Sequence, residues 1–410
     1  MDIITRSRYI DEILPFINKP VIKVLTGMRR VGKSFILKMI IENLKGAGII
    51  EENIIYINKE SLQWETIDDY ASLYRYVLDK YNNRNGELYL FVDEIQEIKY
   101  WEKAVNSILT ENLADIFITG SNARLLSSEI ATNISGRYVE FKIYPLTFKE
   151  FLDFRKSKKG DSSIYDEFKL FLKYGGLPGI HLFDLEEDVI FQYHNSILNT
   201  ILFKDVVQKN ALTDPQNLEK ILMYIFDNCG NITTAKRVSD FLKNQKISVS
   251  IDKVLNYLSY LQSGFLIYKT MRYDLKGLRI LELYEKFYMG DIGLRNGFIG
   301  YKDKDIGGIL ENVVYLELLT RGFKVYIGKY ENKEIDFIAE NKKGKIYIQV
   351  CYALSSDETI EREFSVLESV GDNYPKYVLS TDAYQSINRN GIIHKNIIEF
   401  LTENAQTTVG

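Results

Sequence analysis

Cysteine and histidine are scarce in this chain. Cys229 and Cys351 are the only two cysteines. They lie far apart and form neither a disulfide framework nor a metal-binding spacing, so a reducing, cytoplasmic setting is the plain expectation. The three histidines, His181, His194 and His394, include no pair at ligand spacing. Each is expected to be an ordinary surface or core residue rather than a zinc ligand. Long apolar runs are missing too: none approaches the ~20 residues that span a bilayer. Met1 to Ile10 carries Asp2, Arg6 and Arg8 and no apolar core, so neither a signal peptide nor a membrane partner is expected. Positive charge is not in excess. Lys and Arg number 52 against 56 Asp and Glu, a net charge of -4, which excludes the chain as a whole as a polyanion binder and leaves only local basic patches. No internal repeat or low-complexity segment occurs.

What is present is an ordinary globular composition, 46% hydrophobic and 26% charged, over 410 residues. That length predicts two or three domains. Residues 21–145 alternate short apolar runs with amphipathic stretches. The runs Val21 to Leu25, Ile54 to Ile57, Leu88 to Val92, Asp115 to Thr119 and Val139 to Ile143 read as strands buried on both faces, hence a parallel sheet. Ser34 to Leu44 has Phe35, Leu37, Ile40, Ile41 and Leu44 at helical spacing. The alternation predicts a doubly wound α/β domain. Residues 146–215 read as helical, broken by the turn Tyr174 to Gly179. Leu218 to Phe226, Ala235 to Leu242 and Ile251 to Leu261 then read as three helices, followed by extended stretches around Asp274 to Gly277, the order of a winged helix-turn-helix. A second α/β unit follows, with a helix from Leu310 to Thr320 and strands at Lys324 to Ile327, Ile335 to Ala339 and Lys345 to Cys351.

The densest chemistry lies early. Gly27-Met28-Arg29-Arg30-Val31-Gly32-Lys33-Ser34 fits G-x-x-x-x-G-K-[ST] in full. Gly27 and Gly32 let the loop curl so that its N–H groups face phosphates, and the helix beginning at Lys33 adds its positive end. Lys33 is expected on the β- and γ-phosphates and the Ser34 hydroxyl on Mg²⁺. The nucleotide-binding stretch is taken as Gly27 through Phe35. Leu88 to Val92 ends in Asp93 and Glu94. Asp93 is expected in the Mg²⁺ shell and Glu94 as general base toward water, a pairing that favours hydrolysis over phosphoryl transfer to another substrate. Thr119-Gly120-Ser121-Asn122 closes a third strand, where a polar side chain such as Asn122 orients water. Ser135-Gly136-Arg137 precedes the last strand, and Arg137 is a candidate arginine finger, usually directed to a neighbouring subunit, which also raises oligomerisation.

In these residues the chain resembles the prokaryotic AAA-like ATPases that carry a C-terminal nuclease-like domain of unknown function. The resemblance covers nearly the whole chain. It rests on Val24 to Ser34, Phe91 to Gln96, Thr119 to Ala123, Ser135 to Arg137, Tyr144 to Phe151, Gly175 to Pro178 and Glu334 to Phe337. It implies an ASCE-type sheet with an extra strand between the Walker A and Walker B strands, and ATP as the nucleotide. No guanine-reading Asn-Lys-x-Asp stretch follows the second motif. The C-terminal part resembles the PD-(D/E)xK nuclease fold, whose chemistry needs a helix Glu, a strand Asp and a Glu-x-Lys to hold Mg²⁺. Glu311 or Glu317 suits the helix position and Asp336 the first strand, but the next strand reads Gln349-Val350-Cys351. An amide is a poor Mg²⁺ ligand and a thiol lacks the lysine's charge, so a nuclease fold without nuclease activity is expected.

The expected organisation is therefore an AAA-like P-loop ATPase domain at 1–150, a helical linker subdomain at 151–215, a winged helix-turn-helix at 216–285, a nuclease-like domain at 286–402 and a polar tail at 403–410. The winged segment carries Lys236, Arg237, Lys243, Lys246, Lys253, Lys269, Arg272, Lys276 and Arg279, interleaved with Asp240, Asp252 and Asp274. DNA and a protein both stand as partners for the C-terminal half. The functional expectation is an ATPase whose hydrolysis biases its outer domains between two arrangements. The alternatives are a nucleotide-gated binding module with negligible turnover and, disfavoured by Gln349 and Cys351, an ATP-regulated nuclease.

Overall fold

The computed structural model describes residues 4–126, 134, 136–156, 162–212, 214–382 and 388–403. Ser135 and residues 404–410 of the expected tail lie outside the described residues. The chain divides into two compact units, Met1–Ile143 with Ser263–Phe265, and Tyr144–Gln262 with Leu266–Gly410.

The first unit is built on five parallel strands: β1 (Ile22–Thr26), β2 (Ile54–Asn58), β3 (Tyr89–Asp93), β4 (Asp115–Gly120) and β5 (Tyr138–Lys142), in the order β2-β3-β4-β1-β5. All four pairings are parallel. β4 lies between the P-loop strand β1 and the carboxylate strand β3, as the resemblance implies. Every residue of β1 and β3 is buried, as a sheet covered on both faces requires. Phe91 and Phe117 are register partners on β3 and β4, and their rings stack with centroids 4.5 Å apart. Helix α1 (Ser7–Ile13) precedes the sheet, and α2 (Lys33–Gly46), α3 (Tyr70–Asn82) and α4 (Trp101–Thr110) connect its strands. α2 buries Ile36, Leu37, Ile40, Ile41 and Leu44 at helical spacing, each contributing about 2 kcal/mol of apolar burial. Gly48, at φ 92°, follows its end.

β1 is not apolar throughout. Lys23 is fully buried and pairs with Asp115 at the start of β4, with its ammonium also donating to the Val21 carbonyl at 3.0 Å. Burial pushes the lysine pKa down and the aspartate pKa up. The pair holds the two strands in one register at the end remote from the loop.

The second unit begins with helices α5 (Phe148–Lys156), α6 (Ile164–Tyr174) and α7 (Glu187–Thr200), then a π-helical stretch Ile201–Val207. There follow α8 (Pro215–Asp227), β6 (Ile232–Thr233), α9 (Ala235–Asn244), α10 (Ile251–Ser263), β7 (Ile267–Asp274) and β8 (Arg279–Met289). Then come α11 (Ile292–Ile299), α12 (Ile306–Thr320), β9 (Lys324–Tyr330), β10 (Lys333–Asn341), β11 (Gly344–Val350), α13 (Asp357–Glu368), β12 (Lys376–Ser380), β13 (Asn388–Arg389), β14 (Ile392–Asn396) and α14 (Ile397–Thr402). Nine strands form one mixed sheet in the order β13-β14-β12-β11-β10-β9-β7-β8-β6. The boundary expected between 285 and 286 therefore falls inside β8. The ribbon β7–β8 is also not a free wing, because β7 pairs in parallel with β9. Local patterning could not reveal this, since the pairing joins residues more than fifty positions apart.

The Gly-rich turn joins α6 to α11. Gly176 N–H donates to Asp291 Oδ2 at 2.7 Å, and the same carboxylate caps α11 by accepting from Leu294 N–H at 3.0 Å. A Cβ on Gly176 would meet the Leu146 carbonyl oxygen at 2.4 Å, and one on Gly293 would meet the Tyr174 carbonyl oxygen at 2.1 Å. All three histidines are buried, and burial pushes His194 down to about 4.

Burial raises Asp291 to about 6, against backbone donors that pull it the other way. A folded-state pKa above the unfolded value stabilises below the unfolded carboxylate range and is lost as pH rises through about 6. Relative to Asp291→Asn, wild type should therefore lose roughly 2–3 kcal/mol of stability between about pH 4 and pH 8. Urea unfolding at both ends tests this; a pH-independent difference between the two proteins would contradict it.

Candidate functional site

The P-loop leaves the C-terminal end of β1 and runs into α2. Gly27 passes against the end of β5's extension so closely that a Cβ would lie 2.3 Å from the Ile143 carbonyl oxygen. Arg30 (φ 70°) and Gly32 (φ 101°) turn the chain through left-handed conformations. Gly32 is the N-cap of α2, no side chain caps that end, and its first turn holds no acidic residue. Such an end offers N–H groups and positive potential to an anion. Met28 and Val31 are buried and anchor the loop, and Arg6 donates to the Val31 carbonyl at 3.0 Å.

Lys33 is buried at 4% exposure. Its ammonium donates to the carbonyls of Gly27 at 2.9 Å and Met28 at 3.1 Å, and stands 3.8 Å from Glu94 Oε1. Asp93 and Glu94 end β3 and are both buried. The Thr119 hydroxyl, on neighbouring β4, ties them together: it donates to Asp93 Oδ1 at 2.6 Å and accepts from Glu94 N–H at 2.9 Å. Tyr56 donates to Asp93 Oδ2 at 3.3 Å. The Gln96 amide donates to Glu94 Oε2. Burial alone would raise Glu94, but the Lys33 ammonium, the Gln96 amide, Arg29 and the Ser121 hydroxyl outweigh it and hold the carboxyl below its ordinary range. Glu94 also sits at φ 57°, a left-handed position that costs a non-glycine residue energy and that clusters at functional sites.

The structure thus brings Gly27 to Ser34, Asp93 and Glu94 to one end of the sheet, with Asn122, buried, just beyond β4. Ser34 is half-buried in the first turn of α2. Phe35, in the first turn of α2, has a side chain 52% exposed with its ring 5.4 Å from the Lys38 ammonium, so only its backbone N–H is available to the loop's cradle. Arg137 is not brought to the site of its own chain. β5 runs parallel to β1 with Tyr138 beside Ile22, so Arg137 stands at the opposite end of the sheet from the loop. There it donates to Asn106 Oδ1 at 2.6 Å and Thr110 Oγ1 at 3.0 Å. Sequence reading missed Thr119, Tyr56 and Gln96, whose roles depend on which strands are neighbours. The donor set fits a Mg²⁺–nucleotide: an uncapped helix end, a buried ammonium and a carboxylate pair fixed beside a hydroxyl-bearing helix turn.

A second cluster lies in the second unit. The Lys286 ammonium, on β8, reaches Glu334 Oε1 at 2.9 Å, Glu311 Oε2 at 3.2 Å and Asp336 Oδ1 at 3.9 Å. Tyr288 donates to Glu311 at 3.1 Å. Gln349 accepts from Asp336 N–H at 2.7 Å and donates to Glu363 at 2.9 Å. Of the two helix acids considered, Glu311 joins this cluster, while Glu317 pairs with Arg321 at 2.7 Å. Clefts of about 510 and 530 Å³ share Glu311, Glu334 and Asp336. Among the described residues no group of His, Cys, Asp and Glu has metal-holding geometry.

Several basic residues of the winged segment are already paired: Lys253 with Asp214, Lys269 with Glu285 and Lys276 with Glu331. Arg237 donates to the Ile232 carbonyl at 2.8 Å. The exposed stripe of α10 is Ile251, Asp252, Leu255, Asn256 and Ser259, which carries no cation.

Comparison with known proteins gives the family model of an AAA domain over residues 19–152 and a domain of unknown function (DUF8612) over residues 165–305. An uncharacterized protein of Haemophilus influenzae is 34% identical over 403 residues, covering 98% of this chain and 99% of its own length. An uncharacterized protein of Methanocaldococcus jannaschii is 34% identical over 362 residues, 85% of this chain and 78% of its own. Among solved structures, the Walker-type ATPase PABY2304 of Pyrococcus abyssi shares the fold at 15% identity and a TM-score of 0.50, covering 71% of this chain and 94% of that one. No helix among the described residues is long and apolar enough to cross a membrane.

Thr119→Val keeps the side chain's shape and removes the hydroxyl between two buried groups. It should cost about 2–3 kcal/mol, read as a lower urea midpoint with unchanged m-value. A change within ~0.5 kcal/mol would show that Asp93 and Glu94 N–H find other partners.

Proposed function

We propose a function from one premise: this chain belongs to the family of the Haemophilus influenzae relative and carries an AAA domain over residues 19–152. It is a Mg²⁺-dependent ATPase that hydrolyses ATP to ADP and phosphate. The observation that carries this reading is the meeting of Lys33, from the start of α2, with Glu94, from the end of β3, at 3.8 Å, beside an Asp93 held by Thr119. The backbone N–H groups of Met28 to Ser34 and the Lys33 ammonium hold the phosphates. Ser34 and Asp93 would hold Mg²⁺, which when bound supplies charge neutralisation on the phosphate oxygens. Lys33 can turn from neutral loop carbonyls to an anion at little cost. Glu94, ionised at neutral pH, accepts a proton from the attacking water on a carboxylate oxygen. Asn122 and the Ser121 hydroxyl orient that water. Arg137, remote from its own loop, acts only on the nucleotide of a second copy.

The second unit is the coupled part. The order α8, β6, α9, α10, β7–β8, with β6 pairing to β8, supports a winged-helix reading of this segment. α12 followed by β9-β10-β11, α13 and β12 supports the nuclease-like reading, without nuclease activity because Gln349 and Cys351 replace the acid and the lysine. The exposed stripe on α10, apolar and polar with one acid, Asp252, and no cation, favours a protein partner over DNA. Two buried free cysteines are in keeping with a cytoplasmic protein. The alternative, a nucleotide-gated module without turnover, draws on the Gln96 amide that already occupies Glu94.

The test is steady-state phosphate release from Mg²⁺–ATP by wild type and Glu94→Gln, each with and without duplex DNA. Glu94→Gln should lower kcat roughly 10²-fold or more while ATP binding persists, and DNA should leave both rates unchanged. No turnover in wild type alongside tight ATP binding would leave the gated module; stimulation by DNA would overturn the protein-partner reading.

A further inference from the structure

The second unit's carboxylates ask what neutralises them. In the nuclease-like arrangement a helix acid and a strand aspartate share a divalent cation, with a second strand supplying another acid and a lysine. Here Glu311 and Asp336 occupy the first two positions, and Glu334 adds a third carboxylate. The second-strand position cannot help a cation. Both ends of the Gln349 amide are engaged, Oε1 by Asp336 N–H and Nε2 by Glu363. Cys351 is a buried thiol, pushed up to about 12 by burial, and carries no charge. Glu363 is balanced by Arg362, whose Nε lies 2.9 Å from Oε1. Asp336 Oδ2 accepts from Val350 N–H at 2.8 Å. The Mg²⁺ that the fold implies therefore does not fit these residues.

A cation is nevertheless there. Lys286 is 3% exposed and comes from β8, a strand of the winged segment rather than of the nuclease-like core. Three carboxylates lie within 3.9 Å of its ammonium, two of them at hydrogen-bond distance. Their field raises its pKa despite burial, so it stays charged throughout the physiological range. An ammonium already at hydrogen-bond distance from two of these carboxylates competes with a divalent ion for their oxygens.

We infer that Lys286 is the built-in cation of this site, standing in place of the metal and tying the winged-segment strand β8 to α12 and β10 through their carboxylates. This rests on the nuclease-like reading of the second unit. It explains why that unit would need no metal. The ion pair is a fastening as well as a counter-charge: β8 reaches α12 through Glu311 and β10 through Glu334 and Asp336.

The experiment is a Mn²⁺ titration of the nucleotide-free full chain, followed by electron paramagnetic resonance of free Mn²⁺, in an Asp93→Asn background that silences the P-loop site. With Lys286 intact, the titration should superimpose on that of a further Asp336→Asn variant. Lys286→Ala should gain one Mn²⁺ site with a Kd of roughly 10⁻⁴–10⁻³ M, lost again on adding Asp336→Asn, and Mn²⁺ should raise its Tm. Lys286→Arg should keep the fold and gain no site. A Mn²⁺ site already present with Lys286 intact and abolished by Asp336→Asn overturns the inference, and that comparison stands even where Lys286→Ala does not fold. So does Mg²⁺-dependent nicking of supercoiled plasmid that disappears in Lys286→Arg or Asp336→Asn, since Lys286 would then be a catalytic lysine. Phosphate release from ATP reads the first unit separately.

Discussion

A buried ammonium must find a carboxylate, because neither charge survives burial alone, and three lysines frame this chain by that rule. Lys23 meets Asp115 and fixes β1 against β4. Lys33 meets Glu94 and sets the start of α2 over the end of β3. Lys286 meets Glu311, Glu334 and Asp336 and binds β8 to the elements beyond it. In each case a charge that would destabilise if unpaired chooses the register of strands or the seat of a helix. Removing one partner leaves the other buried and uncompensated, which costs more than the pair itself contributes.

The two sites differ in how firmly they hold their cation. Lys33 has two neutral carbonyls at 2.9 and 3.1 Å and a single carboxylate at 3.8 Å, a set that a polyanion can outbid. Lys286 has two carboxylates within 3.2 Å and a third behind them, a set that holds an ammonium by opposite charge rather than by neutral acceptors. The first arrangement suits an exchangeable ligand and the second a permanent fastening. The same side-chain type serves both ends because the number and charge of its acceptors differ.

Much of the first unit was legible in the sequence because its signals are local. A P-loop is eight consecutive residues, and a doubly buried strand is a short apolar run; both were placed within a residue or two, from Val21–Leu25 against Ile22–Thr26 to Asp115–Thr119 against β4. Lys23 was invisible, since a lysine in an apolar run reads as surface until its partner ninety residues on is known. Thr119 was noted only as part of a strand end; its bridge between Asp93 and Glu94 needs β4 to lie beside β3. Arg137 precedes a strand parallel to β1, which places it at the end of the sheet remote from its own loop and leaves only the nucleotide of a neighbouring subunit, the usual target of such a residue, within its scope. Lys286 went unremarked because it lies in a stretch that reads as one more charged ribbon.

Gly27 sits where a single added carbon would collide with the Ile143 carbonyl oxygen at 2.3 Å. The demand comes from how the chain folds past the end of β5, not from phosphate. A descendant that had given up nucleotides altogether would still be obliged to keep glycine there. Its persistence in a relative is thus a record of architecture and says nothing about turnover, whereas the loss of Glu94, which no neighbouring backbone enforces, would be the informative substitution.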